Sequence, residues 1–141
     1  MMSGIRGKNT KPELLIRCGL FRRGFRFRLH ASKLPGKPDI VLPKYKVVIL
    51  VNGCFWHGHG CSLFKWPSSR VDFWESKIET NRKHDAKSLE ALRAQGWRIL
   101  VVWECATKGR GKWSVEGLLD TIVEWVLGKN EYSEIGEQHA G

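Results

Sequence analysis

The stretch Val47-Val48-Ile49-Leu50-Val51 is apolar at every position, with no polar residue in alternation. A strand with one face in water alternates, so this one has to be covered on both faces. Trp97-Arg98-Ile99-Leu100-Val101-Val102-Trp103 reads as a second buried strand. Such strands need helices on both faces of their sheet, and the chain supplies amphipathic segments for that purpose. Thr10-Lys11-Pro12-Glu13 is a helix start. Thr10 can accept from the third helical N–H, Glu13 can reach back to the cap, and Pro12 is tolerated in the first turn. Leu14, Leu15, Cys18 and Phe21 then recur at helical spacing, which places Cys18 in the core, and Gly24 is a stop signal. Residues 71–95 read as helical with a break near Thr80-Asn81, and Ser114 to Leu127 as a last helix.

Phe25-Arg26-Phe27-Arg28-Leu29 alternates apolar and basic, as a half-buried strand with a cationic outer face does. Lys33 to Pro38 is a turn, and Ile40-Val41-Leu42 is another short strand. The order α-β-β-β-α-β-α predicts an α/β fold with a mixed sheet covered on both faces. At 141 residues the length fits one domain. It is placed at residues 1–128, opening with a basic arm over residues 1–9. Residues 129–141 are expected to be an acidic, disordered tail.

Charge narrows the function. The chain has 24 Lys and Arg against 14 Asp and Glu, a net charge of +10. Residues 1–70 carry a net +12 and residues 114–141 a net −5. A basic first half suits a polyanion such as nucleic acid, although charge alone fits a merely solvated surface equally well. A hydrophobic content of 42% excludes a disordered basic tail as the whole molecule. No apolar run approaches the roughly 18 residues a membrane span needs. The opening MMSGIRGKNT lacks the apolar core of a secretory signal, and four Cys do not make a disulfide scaffold. A cytoplasmic domain without a membrane partner is therefore expected.

Cys54-Phe55-Trp56-His57-Gly58-His59-Gly60-Cys61 packs two thiols and two imidazoles into eight residues, just past a buried strand. Zinc takes four Cys or His ligands in a tetrahedron. Cys54, Cys61 and one His can supply three. Cys105 ends the other buried strand and can be the fourth if the two strands are neighbours. Spacing alone does not choose between His57 and His59. Asp39 follows the rigid turn Gly36-Lys37-Pro38 and opens a strand, a place suited to holding Mg²⁺ against a phosphate. Asp85 is a second candidate carboxylate, although a solvated helix face explains it as well. Of seven Trp, Trp97, Trp103 and Trp125 fit packing roles. Phe55, Trp56, Trp66 and Trp74 lie near polar or basic residues, where rings can wedge between bases or pack locally.

Together these residues resemble the very-short-patch (Vsr) DNA mismatch endonucleases. The resemblance rests on Leu34-Pro-Gly-Lys-Pro-Asp39, Asn52-Gly-Cys-Phe-Trp-His-Gly-His-Gly-Cys61, Phe73-Trp74 with Lys77, Asn81 and Asp85, and Trp103-Glu104-Cys105. It spans roughly residues 3–128. It implies a three-layer α/β/α core like that of restriction endonucleases, with a structural zinc. It also implies a Mg²⁺-dependent nick of one strand, 5′ of the thymine in a T:G mismatch left by deamination of 5-methylcytosine. By resemblance, Asp39 and the backbone carbonyl of Val51 hold Mg²⁺, and His57 is the general base. Asp85 supports it, and Glu13 is an acidic residue beside the site. Cys54, His59, Cys61 and Cys105 bind zinc. Phe55, Trp56 and Trp74 insert into the DNA, with Lys37, Asn52, Lys77 and Asn81 as further DNA contacts. The implied partner is double-stranded DNA with a T:G mismatch, together with other mismatch-repair proteins, at the nucleoid. An asymmetric nick needs no two-fold dimer, so a monomer is expected. Asn52 stands where the family often has His. Two other readings remain open: a related nickase of different target, and a non-catalytic zinc-containing DNA-binding domain.

Overall fold

The structure, a computed structural model, describes residues 10–54, 57–61 and 65–138. Its elements run in the order α1 (Lys11–Arg22), β1 (Arg28–Leu29), β2 (Ile40–Leu42), β3 (Val47–Asn52), α2 (Val71–Ala94), β4 (Arg98–Trp103), α3 (Val115–Leu127) and β5 (Tyr132–Ile135). The sheet order is β1-β2-β3-β4-β5. The first two pairings are antiparallel and the last two parallel, so the sheet is mixed, as predicted.

The unalternating strands sort their side chains as expected. Val47 and Ile49 of β3, with Leu100 and Val102 of β4, join Ile16 and Leu20 of α1 and Leu118, Ile122 and Val126 of α3 in one core. Val48, Ile99 and Val101 point the other way and pack with Leu92 of α2. The result is three layers, α/β/α. Each fully buried Leu or Ile contributes roughly 1.5–3 kcal/mol of transfer free energy, so these two clusters dominate the stability.

Four local expectations are corrected. First, the buried stripe of α1 is Glu13, Ile16, Gly19 and Leu20. Cys18 is exposed, as are Leu14 and Phe21, so Cys18 is not in the core. The helix docks through Gly19, where a Cβ would stand 2.3 Å from Leu119 Cδ1. Thr10 caps the helix as predicted, accepting from the Glu13 N–H, but the Glu13 carboxylate is buried against Arg17 and His30. Second, only Arg28–Leu29 of the alternating stretch pairs as a strand. Third, α2 runs unbroken through Thr80 and Asn81, and Thr80 Oγ1 bonds the Ser76 carbonyl within the helix. Fourth, the tail is not disordered at residues 132–135, which form β5 parallel to β4.

Arg98 explains why the tail returns to the sheet. Its guanidinium donates to the carbonyls of Trp125, Val126 and Gly128 at the end of α3 and to Asn130 beyond it. A cation at a helix C-terminus satisfies carbonyls that have no helical partner. The chain leaving α3 is thereby pinned beside β4. Ile135 enters the core, and Trp113 Nε1 donates to the Gly136 carbonyl at 2.7 Å.

Candidate active site and metal centre

Strands β3 and β4 are parallel neighbours with Asn52 opposite Trp103. Cys54 and Cys105 each lie two residues further on, so the two thiols emerge side by side, and both are buried. The loop after β3 folds back, with the His59 N–H donating to the Cys54 carbonyl at 2.9 Å. Cys54, His59, Cys61 and Cys105 thereby offer four ligand atoms, all within 4.8 Å of one another. His59 Nδ1 stands 3.5 Å from Cys54 Sγ and 3.6 Å from Cys105 Sγ. A tetrahedral zinc about 2.3 Å from sulfur and about 2.0 Å from nitrogen would set those edges at about 3.5 Å. The donor set and spacing therefore fit a structural metal.

Burial pushes the Cys54 thiol far up and the Cys105 thiol up to about 11, while it lowers the His59 imidazole. A neutral imidazole is ready to ligate, and thiolates in such a pocket call for a cation. The surroundings brace the ligands. The His59 ring stacks on Trp103 at 4.0 Å with planes 2° apart. Glu104 Oε1 accepts from the Cys54 N–H at 3.2 Å, and the Glu137 N–H donates to Cys105 Sγ at 3.2 Å.

Beside this centre lies a cleft of about 510 Å³ lined by Lys37, Asp39, Val51, Asn52, His57 and Asp85 among others. It gathers residues from five separate stretches of sequence, 36–39, 50–57, 82–89, 101–103 and 132–134. Asp39 enters at the head of β2, and its Oδ2 accepts from the Val51 N–H of β3 at 2.7 Å. Burial raises the Asp39 carboxyl to about 6, opposed by that hydrogen bond. His57 Nδ1 is hydrogen-bonded to Asp85 Oδ2 on α2. Bonding at Nδ1 leaves Nε2 as the ring nitrogen for proton transfer. The Arg82 side chain bonds the carbonyls of His57 and Gly58, so α2 both orients the imidazole and clamps its loop. Gly58 has φ 61°, and a Cβ there would stand 2.7 Å from Ile78 Cγ2, which marks how closely the loop presses on α2.

Glu13 comes from α1. Its carboxylate is 2% exposed and meets Arg17 at 3.0 Å and His30 Nε2 at 2.6 Å. Glu13, His30 and Asp39 form a second group of ligand atoms within 4.8 Å of one another. Of the expected DNA contacts, Phe55 and Trp56 lie outside the described residues. Trp74, Lys77 and Asn81 recur at three- and four-residue spacing on α2, in step with Asp85. Trp74 stands edge-on to Phe73, with ring centroids 5.1 Å apart, and Lys77 is exposed.

Sequence reasoning assigned no role to Arg82, Glu104 or His30. Glu104 sits inside the Trp-Glu-Cys triplet, but nothing in its spacing says that it accepts from the Cys54 N–H. Trp103 was expected only to pack in the sheet, whereas it also stacks on His59 and stands edge-on to His57.

The family model for the DNA mismatch endonuclease Vsr matches residues 1–63. The chain is 48% identical to the type II nicking enzyme V.XorIIP of Xanthomonas oryzae pv. oryzae, over 88% of this chain and 90% of that one. It is 40% identical to the DNA mismatch endonuclease Vsr of Escherichia coli K12, over 97% of this chain and 88% of that one. With the type II nicking enzyme V.NmeAIP of Neisseria meningitidis it shares 46% identity over 78% of this chain and 79% of the other. No helix among the described residues is long and apolar enough to cross a membrane. Likeness of this extent is decisive: the chain belongs to the Vsr family of DNA mismatch endonucleases and is a DNA endonuclease.

Proposed function

We propose that this endonuclease uses Mg²⁺ to nick one strand 5′ of the thymine in a T:G mismatch, starting very-short-patch repair of deaminated 5-methylcytosine. The observation that carries the reading is the shared cleft, in which Asp39 and Val51 face a His57 hydrogen-bonded to Asp85. Asp39 and the Val51 carbonyl would hold the Mg²⁺, with Glu13 beside them. When bound, Mg²⁺ neutralises phosphate charge and stabilises the leaving oxygen. His57 Nε2 takes the proton of the attacking water. Asp85 keeps the ring in the required tautomer and stabilises the imidazolium that forms. Cys54, His59, Cys61 and Cys105 would hold a zinc that fastens the loop carrying Phe55, Trp56 and His57, so that wedge and base share one platform. Phe55, Trp56 and Trp74 would enter the duplex beside the mismatch, where weaker stacking makes insertion cheaper than at a matched pair. Lys37 and Lys77 would meet phosphates, and Asn52 and Asn81 the neighbouring backbone.

A second reading, a nickase of different target, draws on relatives named only as type II nicking enzymes. Nicking of T:G, G:A, A:C and matched duplexes under single-turnover conditions separates the two. The proposal expects T:G to be cut fastest, in Mg²⁺ and not in EDTA. Equal cutting of T:G and matched duplex would support the second reading. Binding without cutting of any substrate would support a non-catalytic DNA-binding domain.

A further inference from the structure

His30 is a titratable residue beside Asp39 that the mechanism above does not use. Its backbone is left-handed, with φ 48°, where β1 ends. Its N–H donates to the Asp39 carbonyl at 3.0 Å, so the two residues are tied across the hairpin. Its Nε2 meets Glu13 Oε2 at 2.6 Å, and its side chain is 20% exposed. Glu13 and Asp39 thus converge with an imidazole between a helix and two strands, and their ligand atoms lie within 4.8 Å of one another. Two carboxylates this close and this buried repel each other, and Glu13 contributes to the raised pKa of Asp39. A divalent cation would relieve that repulsion. The donor set also has a chemical preference. Mg²⁺ takes oxygen ligands almost exclusively, whereas Mn²⁺ shares its taste for carboxylates but, as a first-row transition ion, also accepts an imidazole nitrogen.

We propose that Glu13, His30 and Asp39 form one divalent-metal site in which His30 Nε2 is a direct ligand, so that the site binds Mn²⁺ more tightly than the Mg²⁺ with which the nick is made. The proposal deepens the nuclease reading and rests on its placement of a metal at Asp39. Neighbouring ligands about 2.1 Å from an ion stand about 3 Å apart. His30 and Glu13 therefore need to part by only a few tenths of an ångström, giving up their hydrogen bond to the ion.

The test is pulsed electron paramagnetic resonance of Mn²⁺ bound to the full-length, zinc-loaded chain. The expected result is modulation from one directly bound imidazole nitrogen. It should be lost in His30→Asn and kept in His57→Ala. Asn tolerates the left-handed backbone, so His30→Asn is the variant most able to fold there. The wild-type spectrum is decisive even if that variant fails to fold. Titration should show Mn²⁺ affinity falling by at least about tenfold in His30→Asn, with Mg²⁺ affinity moving less. Bound Mn²⁺ without nitrogen modulation in the wild-type chain overturns the ligand role of His30. If such protein still nicks DNA in Mg²⁺, the nuclease reading survives that failure. Conversely, nitrogen modulation in a chain that nicks no duplex overturns the nuclease reading and leaves the metal site standing. Mn²⁺ binding unchanged by Asp39→Ala, or no Mn²⁺ binding at all, overturns the site as drawn.

Discussion

On the proposed mechanism, Asp39 is held in a conflict between stability and chemistry. Burial raises its carboxyl from an ordinary 3.8 to about 6, yet a carboxylate that holds a metal has to be charged. A raised folded-state pKa means that folding favours the protonated form. The associated stability is fully present below 3.8 and is lost as pH rises through about 6. At pH 8 the metal-free protein therefore carries a penalty on the order of 2–3 kcal/mol. Asp39→Asn keeps an acceptor for the Val51 N–H and removes the charge. It should abolish nicking and raise stability in denaturant unfolding at pH 8, with the gain vanishing near pH 3.5. Equal stability of the two proteins at pH 8 would contradict the burial argument. At Trp56 the prediction concerns selectivity: Trp56→Ala should lower the preference for mismatched over matched duplex, measured as a ratio of nicking rates. An unchanged ratio would remove Trp56 from the wedge. How far such residues were legible depends on what each needs. Asp39 was readable because a rigid turn before a strand is a local pattern. His30, Arg82 and Glu104 act through partners 17, 25 and 50 residues away, which no local pattern reports.

Among the elements, the Cys/His loop was legible and the last strand was not. Cys54 and Cys61 announce a metal by density in sequence. Cys105 needed only the inference that two buried strands are neighbours, and the parallel register delivers it. Cys105→Ser should lower bound zinc, read by elemental analysis, and lower the unfolding temperature. Full zinc occupancy would refute its place in the centre. Residues 132–135 looked like tail because Glu131 and Glu134 break any apolar run. What fixes them is Arg98, which holds the end of α3, together with the parallel ladder to β4 and the burial of Ile135. Ile135→Ala should cost about 2–4 kcal/mol in chemical denaturation. A change below about 0.5 kcal/mol would mean that β5 is a surface strand of little weight. The misplaced stripe of α1 has a similar cause. Leu14, Cys18 and Phe21 carry the apolar pattern, but Gly19 permits the closest approach to Leu119, and that approach sets which face is buried.

For the whole molecule, the charge asymmetry and the layer order work together. The antiparallel strands β1 and β2 and the end of β3 bring Lys37 and Asp39 to the same cleft as His57, so part of the basic first half lines it. The acidic end of the chain, expected as a disordered tail, instead reaches the cleft. Glu134 bonds Trp103 Nε1 and lines the cleft, and Glu137 lies against the metal centre. The three-layer core was legible from two unalternating strands, because coverage on both faces is their only stable solution. The convergence of the turn before β2, the ends of β3 and β4, β5 and α2 on one cleft was not, since it depends on how α2 packs against the sheet. The central claim is that one asymmetric cleft makes one strand-specific cut. It is tested most directly by mapping the cut on a duplex with each strand end-labelled in turn around a single T:G mismatch. The expected result is one product in Mg²⁺, from the thymine strand, ending immediately 5′ of the mismatched thymine, with the guanine strand intact. Cuts on both strands, or a cut whose position ignores the mismatch, would contradict it.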